Sequence, residues 1–251
     1  ILSRDRFGEK PFYYCNIDGT LYFGSEIKFI SSLLGDKKLK IDTNRIKNYL
    51  VYGFKALYKN PSQSYYLDVQ SLPPASYLEL NNDGNINIKK YWSISYNPIV
   101  NSMDDAIEGT RYYLEKSLSI RLRSDVPLAF CLSGGVDSST LVGMAVKKFG
   151  YDAHTFSIID KDQRYDERDN IESTIDYLGC KSHFTHVNSD GFFERMKALV
   201  HYHDSPVATI SYYIHSFLSE EISKQGYKVV ISGTAADEVF TGYYDHYNLW
   251  L

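Results

Sequence analysis

Apolar and polar positions along the chain follow two different rhythms. Up to about residue 92 the apolar residues come in short aromatic or alternating runs. Examples are Pro11-Phe12-Tyr13-Tyr14-Cys15, Thr20-Leu21-Tyr22-Phe23-Gly24 and Ala75-Ser76-Tyr77-Leu78-Glu79-Leu80. Such runs predict strands, and Asp18-Gly19 and Asp83-Gly84 mark hairpin turns. One helix is expected over 44–52, capped by Asp42 or Thr43. This half has no βαβ rhythm.

After Trp92 the spacing changes. Asn97-Pro98 predicts a break, and the 3.6-residue apolar period over 103–123 predicts a long helix. A strand (126–132), a helix (138–149) closed by Gly150 and a strand (153–159) follow. Next come a helix (167–178) closed by Gly179 and a strand near 183–187. Helices near 190–202 and 211–225 lead to a last strand over 228–231. Strands alternating with helices predict an α/β fold, a doubly wound parallel sheet with helices on both faces. Ligands of such sheets bind beyond the carboxyl ends of the strands. The domain boundaries read from this change are 1–92, a linker over 93–102, and 103–251.

Composition narrows the classes. The chain of 251 residues is 43% hydrophobic and 23% charged, with a formal net charge of −4. Lys and Arg are scattered among acids without a basic stripe, so nucleic acid is not an expected partner. No apolar run approaches the roughly 20 residues that span a bilayer, so no membrane partner is expected either. The 3 cysteines, Cys15, Cys131 and Cys180, lack CxxC spacing and read as reduced thiols of a cytoplasmic protein. The chain opens on Ile1 and enters a strand-like run at once, which reads as an excerpt of a longer protein.

The chemistry concentrates at two strand ends. Cys131-Leu132-Ser133-Gly134-Gly135-Val136-Asp137-Ser138-Ser139 joins a strand to a helix. Adjacent glycines let a ligand approach the backbone, and hydroxyls together with the free N–H groups of a new helix suit a phosphate-like anion. Asp137 would repel that anion unless a magnesium ion lay between them. Ser232-Gly233-Thr234-Ala235-Ala236-Asp237-Glu238 repeats the design after the last strand. Asp137 and Asp237 are therefore expected to grip one hydrated Mg2+. As bland readings, Asp137 caps its helix, Glu238 is a first-turn acid, and His183 and His186 are satisfied or solvent-facing residues.

The first motif resembles the pyrophosphate loop of ATP pyrophosphatases. Combined with Asp237-Glu238-Val239-Phe240-Thr241-Gly242-Tyr243, it resembles the glutamine-hydrolysing asparagine synthetase family. Residues 4–14, Ser25-Glu26-Ile27-Lys28, Leu72-Pro73-Pro74-Ala75-Ser76-Tyr77 and Tyr91-Trp92 match that family in order. The resemblance implies an ATP-pyrophosphatase-like sheet preceded by part of an α+β N-terminal-nucleophile glutaminase domain. It implies ATP and Mg2+ as cofactors, and glutamine, ammonia and a carboxylate acceptor as partners; the sequence leaves the oligomeric state open, a homodimer among the options. The acceptor is aspartate or the uronic acid of a sugar. Activation of that carboxylate would release pyrophosphate, and ammonia would then displace AMP.

Carried over residue by residue, Leu132 and Ile158 border the adenosine. Ser133, Gly134, Gly135, Asp137, Ser138 and Ser139 cradle the pyrophosphate, and Ser232 and Gly233 contact the nucleotide. Asp137 and Asp237 hold the metal. Thr234, Glu238 and Asp204 fall in the acceptor region. The glutaminase Cys and the synthetase Lys are expected outside this chain, and Tyr165-Asp166-Glu167 matches an acidic motif without an assigned role. Thr234 stands where asparagine synthetases usually have Glu, and a hydroxyl cannot serve as a carboxylate base. That departure resembles amidotransferases of surface-polysaccharide pathways. The more distant alternative is a tRNA-modifying ATP pyrophosphatase, which tends to carry catalytic cysteines and a basic surface.

Overall fold

The computed structural model describes residues 1–35, 39–97, 99, 102–160, 162, 164 and 166–246. Pro98, Tyr165 and part of the expected 93–102 linker lie outside the described residues. The chain divides into two compact units: Ile1–Pro98 with Gly191–Tyr213, and Ile99–Asp190 with Ile214–Leu251.

The first unit begins with strands β1 (Leu2–Ser3), β2 (Tyr13–Ile17) and β3 (Thr20–Gly24) and helices α1 (Ile27–Leu34) and α2 (Thr43–Tyr52). A 3-10 turn (Gly53–Lys55), helix α3 (Ala56–Lys59) and strands β4 (Gln70–Ser71), β5 (Ser76–Leu80) and β6 (Ile86–Lys90) follow. Two antiparallel sheets result, in the orders β3-β2-β4 and β1-β5-β6. Asp18 and Gly19 turn β2 into β3 with φ of 52° and 77°. Both central residues of this hairpin are left-handed, which matches the strand twist. The Asp42 side chain accepts from the N–H groups of Asn44 and Arg45 and so starts α2 one residue ahead of the expected range. Helix α1 was not anticipated, although Ile27, Ile30 and Leu34 are spaced to face a core and are buried with Cys15 and Val69.

The second unit holds α4 (Met103–Arg121), β7 (Leu128–Cys131), α5 (Val136–Lys147), β8 (His154–Ile159), α6 (Arg168–Leu178) and β9 (Lys181–His186). Helix α7 (Phe192–His203) lies in the first unit, and α8 (Ser211–Lys224) starts there and continues into the second. Strand β10 (Val229–Ile231) and helix α9 (Ala236–Phe240) follow. Strands β10-β7-β8-β9 form a four-stranded, all-parallel sheet. Phe130 and Ile159 pack with Leu118, Val142, Ala145 and Ile171 of α4, α5 and α6. Ala129 and Phe156 pack with Ile222 of α8 in a separate cluster. Helices therefore cover both faces, as the alternating pattern requires.

One boundary changes the chemistry. Helix α5 begins at Val136, two residues before the expected start, because Gly135 is extended (φ −77°, ψ 161°) and takes the N-cap place. Asp137 thus lies within the first turn, and the bland reading of it as the cap does not hold.

Candidate active site

Parallel pairing sets the site. Val229, Val230 and Ile231 align with Leu128, Ala129 and Phe130, so the loops after β10 and β7 leave the sheet side by side at its carboxyl edge. The two loops touch. A Cβ placed on Gly233 would lie 3.0 Å from the Ser138 nitrogen and 3.1 Å from the Asp137 Cβ. Only a glycine lets these backbones approach so closely.

The first loop is held from several sides. Buried Ser138 accepts a hydrogen bond from the Ser133 N–H (3.1 Å), donates to the Gly135 carbonyl (3.2 Å), and sits 3.0 Å from the Ser133 hydroxyl. Gly134 has φ of 76°, and a Cβ there would lie 3.1 Å from the Glu167 carbonyl and 3.2 Å from the Asn170 Cβ. The loop is thus seated on the start of α6. The Leu132 N–H donates to the Phe156 carbonyl at 3.0 Å. These restraints fix the loop at the start of α5, whose first-turn N–H groups have no intrahelical acceptors.

The second loop turns through left-handed Ala235 (φ 78°) into α9, with Thr241 left-handed (φ 59°) at its far end. The Ser232 hydroxyl donates to the Thr234 hydroxyl at 2.9 Å. Gly242 leaves room for Asp237: an added Cβ would overlap the Asp237 carboxylate, and the Gly242 N–H already donates to the Asp237 carbonyl at 2.9 Å. The Glu238 carboxylate accepts from the Tyr243 hydroxyl at 3.0 Å.

Between the loops opens a cleft of about 590 Å³. It gathers Leu132, Ser133, Gly135, Asp137, Ser138, Ile158, Ser232, Gly233, Thr234 and Asp237 of the sequence-derived residues. Gly134 supports the loop from behind. Ser139 and Glu238 do not line the cleft, and Asp204 lies in the first unit, bonded to Lys28. Sequence reading missed the wall that α8 contributes, Ile214, His215, Leu218, Ser219 and Ile222, and gave no role to Glu167, which lines the opposite side. An i, i+4 spacing was visible in α8, but nothing in it told which face meets the cleft.

Charge and polarity divide the cleft. Cys131, Phe156, Ile158 and Leu218 give it an apolar floor. Burial pushes the Cys131 thiol up to about 11, so it is a packed, protonated group rather than a nucleophile. Among the described lining residues, Asp137, Asp237 and Glu167 are acids, and neither Lys nor Arg is present. A polyphosphate here needs positive charge that protein side chains do not supply, so the donor set fits a hard cation bound by oxygen. No group of three or more His, Cys, Asp or Glu among the described residues could hold a metal alone. His183 instead stacks on Phe156, with ring centroids 4.8 Å apart.

The asparagine synthase family model matches residues 109–251, the stretch that contains both loops. The chain belongs to the asparagine synthase family. A glutamine amidotransferase domain model matches residues 1–92. Among curated relatives, asparagine synthetase [glutamine-hydrolyzing] 1 of Bacillus subtilis is 31% identical over 243 residues, covering 96% of this chain and 37% of the relative. Putative asparagine synthetase [glutamine-hydrolyzing] 2 of Methanocaldococcus jannaschii is 34% identical over 259 residues, 98% of this chain and 47% of the relative. Amidase chyE of Penicillium rubens is 28% identical over 261 residues, covering 97% and 38%. The chain therefore spans less than half the length of each of these three relatives. No helix among the described residues is long and apolar enough to cross a membrane.

Proposed function

We propose that this chain contributes the nucleotide cleft of a glutamine-dependent amide ligase, one that activates a carboxylate with ATP and releases pyrophosphate. The observation behind this reading is the contact of Gly233 with the Asp137–Ser138 backbone, which joins two Ser-Gly loops and two acids at one cleft. Ser133, Gly135 and the first turn of α5 would hold the departing pyrophosphate. Fixed donors around a leaving group stabilise the charge it gains without reorganising during the step. Ile158 offers apolar surface to the purine, with fully buried Leu132 and Phe156 packed beneath the cleft lining. Asp137 and Asp237 would hold Mg2+, which supplies charge neutralisation at the phosphate oxygens. Thr234 faces the space where the acceptor would meet the attacking nitrogen.

For the acceptor, Thr234 favours a carboxylate without a free ammonium group. Its hydroxyl is neutral and already engaged by Ser232, so it offers no charge to pair with the amino group of aspartate. The uronic acid of a nucleotide-linked sugar fits that requirement. The nitrogen would come from glutamine, through the region that matches the amidotransferase domain.

The test is Mg2+-dependent ATP–pyrophosphate exchange by the full-length protein, with aspartate and with nucleotide-linked uronic acids offered separately. Exchange stimulated by the uronic acid is expected, together with amide formation when glutamine or ammonia is added. Efficient turnover of aspartate alone would overturn the acceptor assignment. Absence of exchange with every carboxylate would overturn the adenylating reading.

A further inference from the structure

From Ile214 onward helix α8 belongs to the second unit, together with every described residue that lines the cleft. Its direction follows from the topology. Helix α8 leads into β10, which runs parallel to β7, so the helix runs back against the strands. Its earlier turns therefore lie toward their carboxyl ends. Ile222 packs on Ala129 and Phe156, in the middle of β7 and β8. His215 comes two turns before Ile222, about 10 Å along the axis, which carries it level with the loop after β7.

Two rows of side chains run along this stretch. Ile214, Leu218 and Ile222 recur every four residues, and Leu218 and Ile222 pack toward the sheet. His215 and Ser219 form the neighbouring row, both exposed and both lining the cleft. Neither the imidazole nor the hydroxyl has a hydrogen-bond or ion-pair partner among the described residues. The other hydroxyls of the lining, on Ser133, Ser138, Ser232 and Thr234, are bonded within their loops. The α8 row is thus the part of the lining with uncommitted donors.

The chemistry of the pair selects what it can meet. An imidazole donates from one ring nitrogen and accepts at the other, and a serine hydroxyl does both. Alcohols also donate and accept, whereas a carboxylate or phosphate only accepts. The cleft reinforces the choice, since Asp137, Glu167 and Asp237 line it without a Lys or Arg to balance a further anion. In the proposed function the nucleotide meets the cradle, Ile158 and the second loop. The wall is left to the second substrate.

We infer that His215 and Ser219 bind the acceptor by hydrogen bonds to the ring hydroxyls of a sugar. The inference rests on the proposed function, in taking a carboxylate acceptor as the second occupant of the cleft. It adds an attractive element to the selection made at Thr234: the second loop offers nothing to the ammonium group of aspartate, and the wall offers partners that only a hydroxylated acceptor can use.

Full-length His215→Ala and Ser219→Ala test it, with UDP-glucuronic acid and ring-deoxy analogues that each lack one hydroxyl as acceptors, and ammonia as the nitrogen source. Both positions are exposed, so the variants should fold as the wild type does. Each should raise the acceptor KM by about three- to tenfold, as the loss of one hydrogen bond requires, with the ATP KM held within about twofold. One analogue should lose as much with the wild type and nothing further with the variant that removes its partner. An unchanged acceptor KM in both variants would overturn the inference. So would an equal rise in the ATP KM, or losses that multiply for every analogue. If no carboxylate supports exchange in the wild type, the proposed function fails, and calorimetric binding of UDP-glucuronic acid in the presence of Mg2+ and ATP decides the role of the wall. Weaker binding by the variants would then support it, and equal affinity or no binding would remove it.

Discussion

The loops after β7 and β10 share a position and a composition but not an environment. Strand β7 is central and its Leu128, Ala129 and Phe130 are 0–2% exposed, whereas Val229 and Val230 on edge strand β10 are 43% and 41% exposed. The first loop leads into a helix of 12 residues, the second into one of 5. In the first, buried Ser138 ties Ser133 to Gly135. In the second, the exposed Ser232 hydroxyl bonds to the exposed Thr234 hydroxyl. A fixed cradle thus faces a looser partner. That division suits a reaction in which the pyrophosphate is constant and the acceptor varies, and Thr234, the telling departure in the sequence, stands on the looser side.

The sharpest way to break this comparison is through the acids. If Asp137 and Asp237 hold one ion, each alanine substitution in the full-length protein lowers Mg2+-dependent ATP–pyrophosphate exchange by about 100-fold or more. The double variant is then little worse than either single one, because residues acting as a unit are not additive. Multiplying losses in the double variant would instead mean that the loops act independently.

The glycines give the next largest effect, and of different kinds. Gly134→Ala forces a side chain into a left-handed backbone position facing the Glu167 carbonyl, which should cost about 1–3 kcal/mol of stability. Gly233 carries no left-handed strain, so Gly233→Ala acts by prising the loops apart at Ser138. Its expected signature is about a tenfold weaker ATP KM with little change in melting temperature. A large melting shift for Gly233→Ala would show that the second loop is as structural as the first.

Much of this arrangement was legible in the sequence. The alternation after Trp92 announced the parallel sheet, and four of its helices fall within two residues of the expected ranges (Met103–Arg121, Val136–Lys147, Arg168–Leu178 and Ser211–Lys224). What stayed hidden has physical causes. Val136 is 82% exposed, so hydrophobic periodicity gave no reason to begin a helix there, and the start was fixed by the extended Gly135. Helix α9 is shorter than two turns and shows no period to read. The grouping of Gly191–Tyr213 with the first unit depends on long-range pairs such as Lys28 with Asp204, separated by 176 residues, and no local pattern encodes them. The α8 wall reads as an ordinary apolar helix face until Leu218 and Ile222 are seen packed near Cys131 and Phe156.

The serines make a finer contrast. Ser138→Ala removes the acceptor of the Ser133 N–H in a buried setting and should cost about 1–2 kcal/mol. Ser232→Ala leaves only the exposed Thr234 hydroxyl without its donor, which water replaces, and should stay within about 0.5 kcal/mol. Thermal unfolding of the two full-length variants side by side reads the difference. Equal losses would place the second loop in the same rigid class as the first and remove the basis for assigning it the variable task.

The smallest structural effect, and the most specific, belongs to Thr234→Glu. Thr234 is exposed and bonded to an exposed hydroxyl, so stability should change by no more than about 0.5 kcal/mol. A carboxylate at this place restores a group able to pair with an ammonium ion or take a proton from an attacking amine. Aspartate-stimulated exchange should therefore rise by about three- to tenfold, worth roughly 1 kcal/mol of added recognition, while exchange with a uronic acid falls. The anionic cleft limits the gain, since Asp137, Asp237 and Glu167 line it already, and a further negative charge weakens binding of the nucleotide phosphates unless the ion between them is in place. Raising Mg2+ should then restore the ATP KM of the variant without altering its new preference. A variant that keeps the wild-type preference for acceptors would move the determinant of specificity away from the second loop, toward His215 and Ser219 on α8.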